Sequence, residues 1–131
     1  MLKHGILNPA ILELLGRFRH TNTLVIADRG FPFWPQVPTI DLSLTDDIPT
    51  VAQVLEALLP ECAVGGAFMA REFTTKNSPN VVKASELLLK YHDVKIRYVK
   101  HVDFKKRVPS CIGLIRTADT TPFRNIILES A

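Results

Sequence analysis

The sequence predicts a single α/β domain with a mixed, mostly parallel sheet of about six strands. Short apolar segments typical of buried strands alternate along the chain with segments of helical periodicity, and parallel neighbours need such crossover connections. The last two predicted strands are joined by a loop too short for a helix, so we expect at least one antiparallel pair. A length of 131 residues suits one domain over residues 1–131.

The predicted helices are defined by their caps. Asn8 can cap a first helix that has Pro9 at its first position, and the apolar residues that follow, ending with Phe18, recur at helical spacing. We therefore assign Phe18 to the core. Residues 50–53, Thr-Val-Ala-Gln, fit a capping box. The predicted helices begin at Asn8, at Thr50, at Ser78-Pro79 for the longest one, and at Val102 for a short one.

The predicted strands are short runs that are apolar throughout or alternate apolar with charged residues. They cover residues 24–27, 37–42, 63–70, 95–99, 112–115 and 125–128. The run 24–27 is continuously apolar, as in strands buried in a sheet with both faces covered.

Composition limits the class of partner. The mean hydropathy of +0.13 and the 47% share of hydrophobic residues suit a compact fold and argue against disorder. The net charge is only +3, because 16 basic residues are dispersed among 13 acidic ones. The densest basic cluster lies at residues 100–107. We interpret it as a solvent-exposed helix face rather than as a binding surface for nucleic-acid phosphates. We expect no nucleic-acid partner, although a nucleic-acid-associated domain remains an alternative.

We expect a cytoplasmic protein with no membrane partner. The amino terminus lacks the long apolar stretch of a signal peptide, and no run approaches the ~20 apolar residues of a membrane span. Cys62 and Cys111 have no metal-ligand spacing, so both are predicted to be reduced, buried core residues.

Polar residues at the ends of elements are the candidate site. The chain has no GxGxxG, no Walker motif and no GxSxG, and its histidines show neither HExxH nor HxH spacing. The remaining polar groups are His20, Asp28, His101 and the segment 121–125. This set offers proton transfer and hydrogen bonding without an obvious nucleophile, which suits a polar small molecule.

Asp28 and His20 lie at opposite ends of the apolar run 24–27. Ligands of open α/β sheets collect beyond the carboxyl ends of strands, which is where Asp28 falls, and Gly30 lets the chain turn away. An imidazole such as His20 suits proton exchange near neutral pH. The structural alternatives are that Asp28 only forms a turn and that His20 only caps the first helix.

Six segments form an ordered series along the chain. They are Lys3–Asn8, His20 with the strand ending in Asp28, Ile40–Leu44, His101 with Phe104-Lys105, Ile115–Thr117, and Thr121-Pro122 with Asn125–Leu128. This series resembles the D-ribose pyranase / L-fucose mutarotase family, with the ribose branch closer.

The resemblance implies a three-layer α/β/α fold in ring-like oligomers, commonly decamers, with sites near subunit contacts, and we expect a pentamer or decamer for this chain. It also implies an isomerase that interconverts cyclic forms of a monosaccharide without cofactor or metal. In this reading His20 is the proton donor. The implied sugar-binding residues are Asp28, His101, Phe123, Arg124 and Asn125.

The implied chemistry is simple. Opening a hemiacetal needs one proton delivered to the ring oxygen and one removed from the anomeric hydroxyl, and reclosure gives the isomer. One positioned acid/base group contributes about 10² to 10⁴-fold. Asp28 would hold hydroxyl groups and fix the sugar ring.

The chain departs from the family at three positions. Phe123 stands where a tyrosine is usual, so one hydroxyl is missing, and a non-catalytic sugar sensor is therefore a second hypothesis. Arg29 replaces a small residue, and Arg124 adds a positive charge beside Asn125. We hypothesise a substrate with a carboxylate or phosphate, against the alternative that both arginines form subunit salt bridges. For Trp34, an oligomer contact is favoured over a wall for the sugar, and His4 is left outside the site.

Overall fold

A mixed six-stranded sheet with helices on both faces organises the chain in the computed structural model, which describes residues 1–131. The helices are α1 (Pro9–Arg17), α2 (Val51–Leu58), α3 (Arg71–Lys76), α4 (Pro79–Tyr91) and α5 (His101–Arg107). The strands are β1 (Thr23–Ala27), β2 (Thr39–Asp41), β3 (Val64–Ala70), β4 (Lys95–Val99), β5 (Leu114–Arg116) and β6 (Ile126–Ser130). None of the helices is long and apolar enough to cross a membrane.

The strand order β2-β5-β1-β6-β3-β4 confirms the predicted mixed, mostly parallel sheet. Only β6 runs antiparallel, and it lies between β1 and β3. The expected antiparallel pairing exists, yet β6 pairs with β1 and β3 and not with β5, because β1 separates the last two strands. This arrangement brings the segment before β6 to the carboxyl ends of β1 and β3.

Alternating side chains of the strands build two cores, which confirms the three layers. Leu24 and Ile26 of β1 belong to a larger cluster with residues of α1, α2 and α4. Val25 and Ala27 belong to a smaller cluster with α5 and the loop that follows β1. All four side chains are fully buried, so β1 is a central strand with both faces covered.

The predicted caps are present. The Asn8 side chain accepts a hydrogen bond from the Ile11 amide at 3.1 Å. Thr50 and Gln53 form the reciprocal capping box, with bonds of 3.1 and 2.9 Å. Ser78 caps α4, which is the longest helix. Local side-chain chemistry therefore sets where these helices begin.

Other predictions need correction. Helix α3 was not predicted, β2 is shorter than residues 37–42, and β5 and β6 start later than expected. Within α1, Leu14 is buried and Leu12 is exposed, because the helix turns Ile11, Leu14 and Phe18 towards the sheet. Cys111 is buried as predicted, but Cys62 is only half-buried because it follows a surface turn before β3.

Two glycines provide a matched test of the packing between α1 and the sheet. A Cβ atom at Gly113 would lie 2.7 Å from Cδ1 of the buried Leu14, whereas nothing lies within 4 Å of one at Gly16 of α1. Gly113→Ala should reduce the free energy of unfolding by about 1–3 kcal/mol through overpacking. Gly16→Ala should increase it by about 0.5–1 kcal/mol, because alanine favours the helix. Urea unfolding of both variants measures the contrast, and equal effects would contradict this packing.

Candidate active site

A polar cavity of about 180 Å³ lies beyond the carboxyl end of β1. Its lining residues are Asp28, Gly30, Phe31, Pro32, His101, Phe123 and Asn125. A cavity of about 200 Å³ between α1 and α2 is slightly larger, but it is almost entirely apolar and contains no titratable side chain. The smaller cavity is the candidate active site because it alone combines a carboxylate, an imidazole and an amide.

Asp28 and Asn125 hold each other in fixed orientations. The Asp28 amide donates to Oδ1 of Asn125 at 2.8 Å, and Nδ2 of Asn125 donates to Oδ2 of Asp28 at 3.1 Å. The Gly30 amide donates to Oδ1 of Asp28 at 3.0 Å. Both side chains are buried, so this cyclic pair joins the end of β1 to the start of β6 inside the protein.

Burial raises the pKa of the Asp28 carboxyl group above its ordinary value. The hydrogen bonds from Gly30 and Asn125 act in the opposite direction, and the nearby carboxylate of Asp119 adds to the increase. Each carboxylate oxygen already accepts one bond from the protein and keeps further acceptor capacity. Asp28 is therefore a carboxylate of fixed orientation at the wall of the cavity, with acceptor capacity left over.

His101 begins α5 and forms a second wall. Its ring lies among Phe31, Phe104 and Phe123, with ring centroids 6.4, 6.3 and 5.0 Å away. Burial lowers the pKa of His101, the charge of Lys105 lowers it further, and the carboxylates of Glu72 and Asp28 partly oppose the decrease. The Nδ1 atom is shielded from solvent and has no hydrogen-bond partner within the chain. An imidazole with a lowered pKa and an unpartnered ring nitrogen has hydrogen-bonding capacity to spare at the cavity wall.

Phe123 forms the third wall from a strained turn. Its φ of 57° lies in the left-handed region, which is uncommon for a bulky residue. Nδ2 of Asn77 donates to the Pro122 carbonyl at 2.9 Å, and the Asn125 amide donates to the Phe123 carbonyl at 2.9 Å. Such strain persists where surrounding contacts enforce it, often at functional sites.

Hydrogen bonds from Arg116 of β5 hold the loop after β1 in place. Its guanidinium donates to the carbonyl groups of Asp28, Arg29 and Pro32 at 3.4, 3.2 and 3.3 Å. These bonds hold the side of the cavity formed by Gly30 to Pro32. Trp34 further along this loop is partly buried against Phe31, with ring centroids 6.5 Å apart, and does not line the cavity.

Arg29 and Arg124 were predicted as binding residues, but neither lines the cavity. Arg29 forms an exposed ion pair with Asp46 at 2.6 Å. Arg124 forms an ion pair with the buried Asp119 at 3.4 Å and donates to the Ser85 hydroxyl at 3.0 Å. The turn at Phe123 points Arg124 towards α4, away from its neighbours in the sequence. Both arginines thus make salt bridges within one chain.

His20 lies at the other end of β1 from Asp28. A five-residue strand at about 3.3 Å per residue separates the two groups by on the order of 15 Å. The exposed His20 precedes Thr21, whose φ of 67° is unusual for a β-branched residue. Hydrogen bonds between residues 21–22 and Ser130 fix this turn. Within one chain, His20 and the cavity therefore remain apart. His4 is also exposed and outside the cavity.

Two carboxylates that support the surroundings of the cavity, Asp119 and Glu72, were not predicted from the sequence. Asp119 is 1% exposed, and its carboxylate accepts hydrogen bonds from the amides of Val51 and Thr121, both at 2.9 Å. It lies in the segment that follows β5, as Asp28 directly follows β1, so the argument from strand ends extends to it. Glu72 of α3 accepts a hydrogen bond from the His101 amide. No local pattern indicates that contact. No three side chains of metal-ligating type converge in the chain.

A carboxylate, an imidazole and an amide line one cavity at the edge of the sheet where β1 and β4 end and β6 begins. These are the kinds of group that a small-molecule site for acid/base chemistry uses on an α/β fold. The chain belongs to the RbsD / FucU transport protein family, whose model matches residues 1–131.

Individual relatives agree with this assignment. A D-ribose pyranase of Bacillus licheniformis is 40% identical over 130 residues, which cover 99% of this chain and 97% of that protein. One from Geobacillus thermodenitrificans is 38% identical, with coverage of 99% and 96%. The structure of Bacillus subtilis RbsD complexed with D-ribose superposes with a TM-score of 0.92 at 35% identity, over 100% of this chain and 98% of the other.

The fucose branch shares the fold at lower identity. The fucose mutarotase in complex with L-fucose from Streptococcus pneumoniae has a TM-score of 0.83 and 19% identity, over 99% of this chain and 98% of the other. The resemblance found in the sequence, with the ribose branch nearer, is thus confirmed.

The environment of His101 makes stability depend on pH. Because the pKa of His101 is lower in the folded state than its ordinary 6.5, its contribution to stability is present above 6.5 and is lost as the pH falls through the folded-state pKa. The melting temperature of the wild type should therefore fall on acidification from about pH 7.5 to 5.5, and His101→Gln should flatten this decrease. Thermal unfolding measures both. His4→Gln, at an exposed position, is the matched control, and a wild-type slope in His101→Gln would contradict the assignment.

Proposed function

We propose that the protein is an isomerase that interconverts cyclic forms of a neutral monosaccharide such as D-ribose, either pyranose and furanose or the two anomers, by general acid/base catalysis. The observation that carries this proposal is the cavity in which Asp28, Asn125 and His101 meet. The D-ribose pyranases among the relatives support the reaction class, and the ribose complex of Bacillus subtilis RbsD supports the substrate class.

The cavity suits sugar hydroxyl groups. Asp28 offers charge-assisted acceptors whose orientation is set before the ligand arrives. The aromatic faces of Phe31 and Phe123 provide apolar contact for C–H groups of a sugar ring. A ring held in one orientation needs only proton transfer at the ring oxygen and the anomeric hydroxyl, so no cofactor chemistry enters the proposed reaction.

The charges favour a neutral sugar over the charged substrate hypothesised from the sequence. Arg29 and Arg124 are engaged with Asp46 and Asp119 and lie outside the cavity lining. The charged group inside the cavity is the Asp28 carboxylate, which repels a carboxylate or phosphate. Uronates and sugar phosphates should consequently bind less well than neutral pentoses.

His20 is proposed as the proton donor for a cavity on a neighbouring copy of the chain. A rigid turn with a strained Thr21 presents His20 to solvent, about one strand length from its own cavity. Strain held in place by hydrogen bonds suits a group that must be displayed in one geometry. We therefore propose a ring-like homo-oligomer, a pentamer or decamer, in which subunit contacts bring His20 to Asp28.

The remaining parts of the proposal concern setting and partners. Both cysteines are free, which suits the reducing cytoplasm. The proposed partners are the monosaccharide and further copies of the chain. Neither nucleic acid nor membrane is a proposed partner, and nucleic-acid binding would show itself by a steep salt dependence.

A second candidate function is a non-catalytic sugar sensor on the same fold. Phe123 favours this alternative, because its ring lines the cavity without the tyrosine hydroxyl group that the family resemblance implies there. Sugar binding without faster exchange between sugar forms would establish the sensor.

Subunit complementation tests the shared site. Saturation-transfer NMR over a panel of sugars should show faster exchange for at least one aldose with the wild type, reduced about 10² to 10⁴-fold in His20→Ala. Asp28→Asn should also be inactive. Mixed oligomers of the two variants should regain roughly a quarter of the wild-type exchange, because each site draws one residue from each of two chains.

The matched control for complementation mixes Asp28→Asn with Asn125→Ala. Both residues belong to the same cavity of one chain, so every mixed site lacks one of them and no activity should return. Mixed oligomers of His20→Ala and Asp28→Asn that stay inactive would refute the shared site.

Phe123→Tyr tests the missing hydroxyl group. If the wild type is an isomerase that lacks one sugar contact, the tyrosine should tighten sugar binding by about 0.5–1.5 kcal/mol, which is up to roughly tenfold in Kd. Titration calorimetry and exchange NMR measure binding and turnover separately. Phe123→Leu removes the ring without adding a hydroxyl group and serves as the control. Unchanged affinity in Phe123→Tyr would exclude a hydrogen-bonding role at this position.

A further inference from the structure

The short helix α3 contacts two walls of the cavity without lining it. It follows β3 directly, and no side chain caps its start. Its anchor is Phe73, which is fully buried in the larger core. Polar side chains at its two ends, Glu72 and Asn77, reach the elements that carry His101 and Phe123.

Glu72 holds the element that carries His101. Both of its carboxylate oxygens accept from the His101 amide, at 3.1 and 3.0 Å. Lys100 precedes α5 and supplies no side-chain cap of its own, so the free amide at the start of α5 depends on Glu72. Because the His101 side chain extends from the backbone that the Glu72 carboxylate holds, this contact also restrains the position of the imidazole.

Asn77 holds the turn that carries Phe123. Its Nδ2 atom donates to the Phe73 carbonyl of α3 and to the Pro122 carbonyl, both at 2.9 Å. The hydrogen bond to the Pro122 carbonyl joins the end of α3 to the residue before Phe123. Phe123 itself has a positive φ. Loss of this bond removes one of the contacts that keep Phe123 in its strained conformation.

We propose that α3 sets the geometry of the cavity, with Glu72 as the positioning residue for His101 and Asn77 as the positioning residue for Phe123. This inference depends on one part of the proposed function, namely that the cavity binds a sugar. Because Glu72 and Asn77 are absent from the lining, they act through the two residues that they hold. The rings of those two residues meet edge to face, with centroids 5.0 Å apart.

Three single variants separate positioning from stability. Glu72→Gln removes the charge opposite the His101 amide, and Asn77→Asp removes the donor to Pro122. Asn77→Asp should raise KM for the sugar roughly tenfold, the effect of one lost hydrogen bond, with a smaller change in kcat. Glu72→Gln should raise KM less, because its side-chain oxygen still accepts from the His101 amide without the charge. Thr74→Val is the matched control, because the Thr74 hydroxyl bonds only to the Arg71 carbonyl of the same helix. It should leave KM unchanged.

Double variants show whether the effects pass through the held residues. Glu72→Gln should change KM little in a His101→Gln background, and Asn77→Asp should change it little in a Phe123→Ala background. Additive effects in both pairs would overturn the proposal. The same conclusion follows if Glu72→Gln and Asn77→Asp behave like Thr74→Val.

A titration of the His101 ring by NMR tests Glu72 without any sugar. The groups that act on this imidazole are Lys105, Glu72 and Asp28, and the Glu72 carboxylate raises its pKa. Glu72→Gln should therefore lower the pKa of His101, and Glu72→Asp should restore part of the loss. A wild type inert towards all sugars would refute the proposed function and leave this titration valid. An unchanged titration of His101 in Glu72→Gln would refute the positioning role.

Discussion

The cyclic pair of hydrogen bonds between Asp28 and Asn125 is the interaction on which the site depends. It exists because β6 runs antiparallel between β1 and β3, so that the start of β6 meets the end of β1. A wholly parallel sheet would carry the residue before β6 to the opposite edge. The single reversed strand therefore supplies the amide that orients the carboxylate, and this topology serves the chemistry as directly as the side chains do.

Burying carboxylates costs desolvation free energy, and hydrogen bonds from the protein offset this cost. Asp28 and Asp119 are both buried carboxylates beyond neighbouring strands. Asp28 accepts hydrogen bonds from one backbone amide and from Asn125, and Asp119 accepts them from two backbone amides and from Arg124. Replacing water with fixed donors keeps both groups in single orientations. Phe123 adds backbone strain at the same place. A preorganised cavity of this kind suits a reaction that needs orientation and proton transfer at two oxygens rather than a large driving force.

Residues within a few positions of each other account for most of the correct predictions. The caps at Asn8, Thr50 and Ser78 are local hydrogen bonds, so the sequence predicts where α1, α2 and α4 begin. Helix α3 was not predicted because these local signals are absent from its sequence. Its six residues have no cap and no clear periodicity, and the helix forms because the core receives Phe73. The direction of the Arg124 side chain likewise could not be read from its neighbours, since the turn at Phe123 directs it to Asp119 and Ser85.

The sequence by itself determined the buried central strand, the carboxylate at its end, the capped helices and, through an ordered resemblance, the family. Tertiary structure alone decided that Asn125 is the partner of Asp28, that Glu72 holds His101, and that His20 lies far from the cavity of its own chain. Asp28 and Asn125 are 97 positions apart. Periodicity and capping involve residues within one or two helical turns of each other, whereas contacts at that sequence separation form only when the sheet assembles and packs.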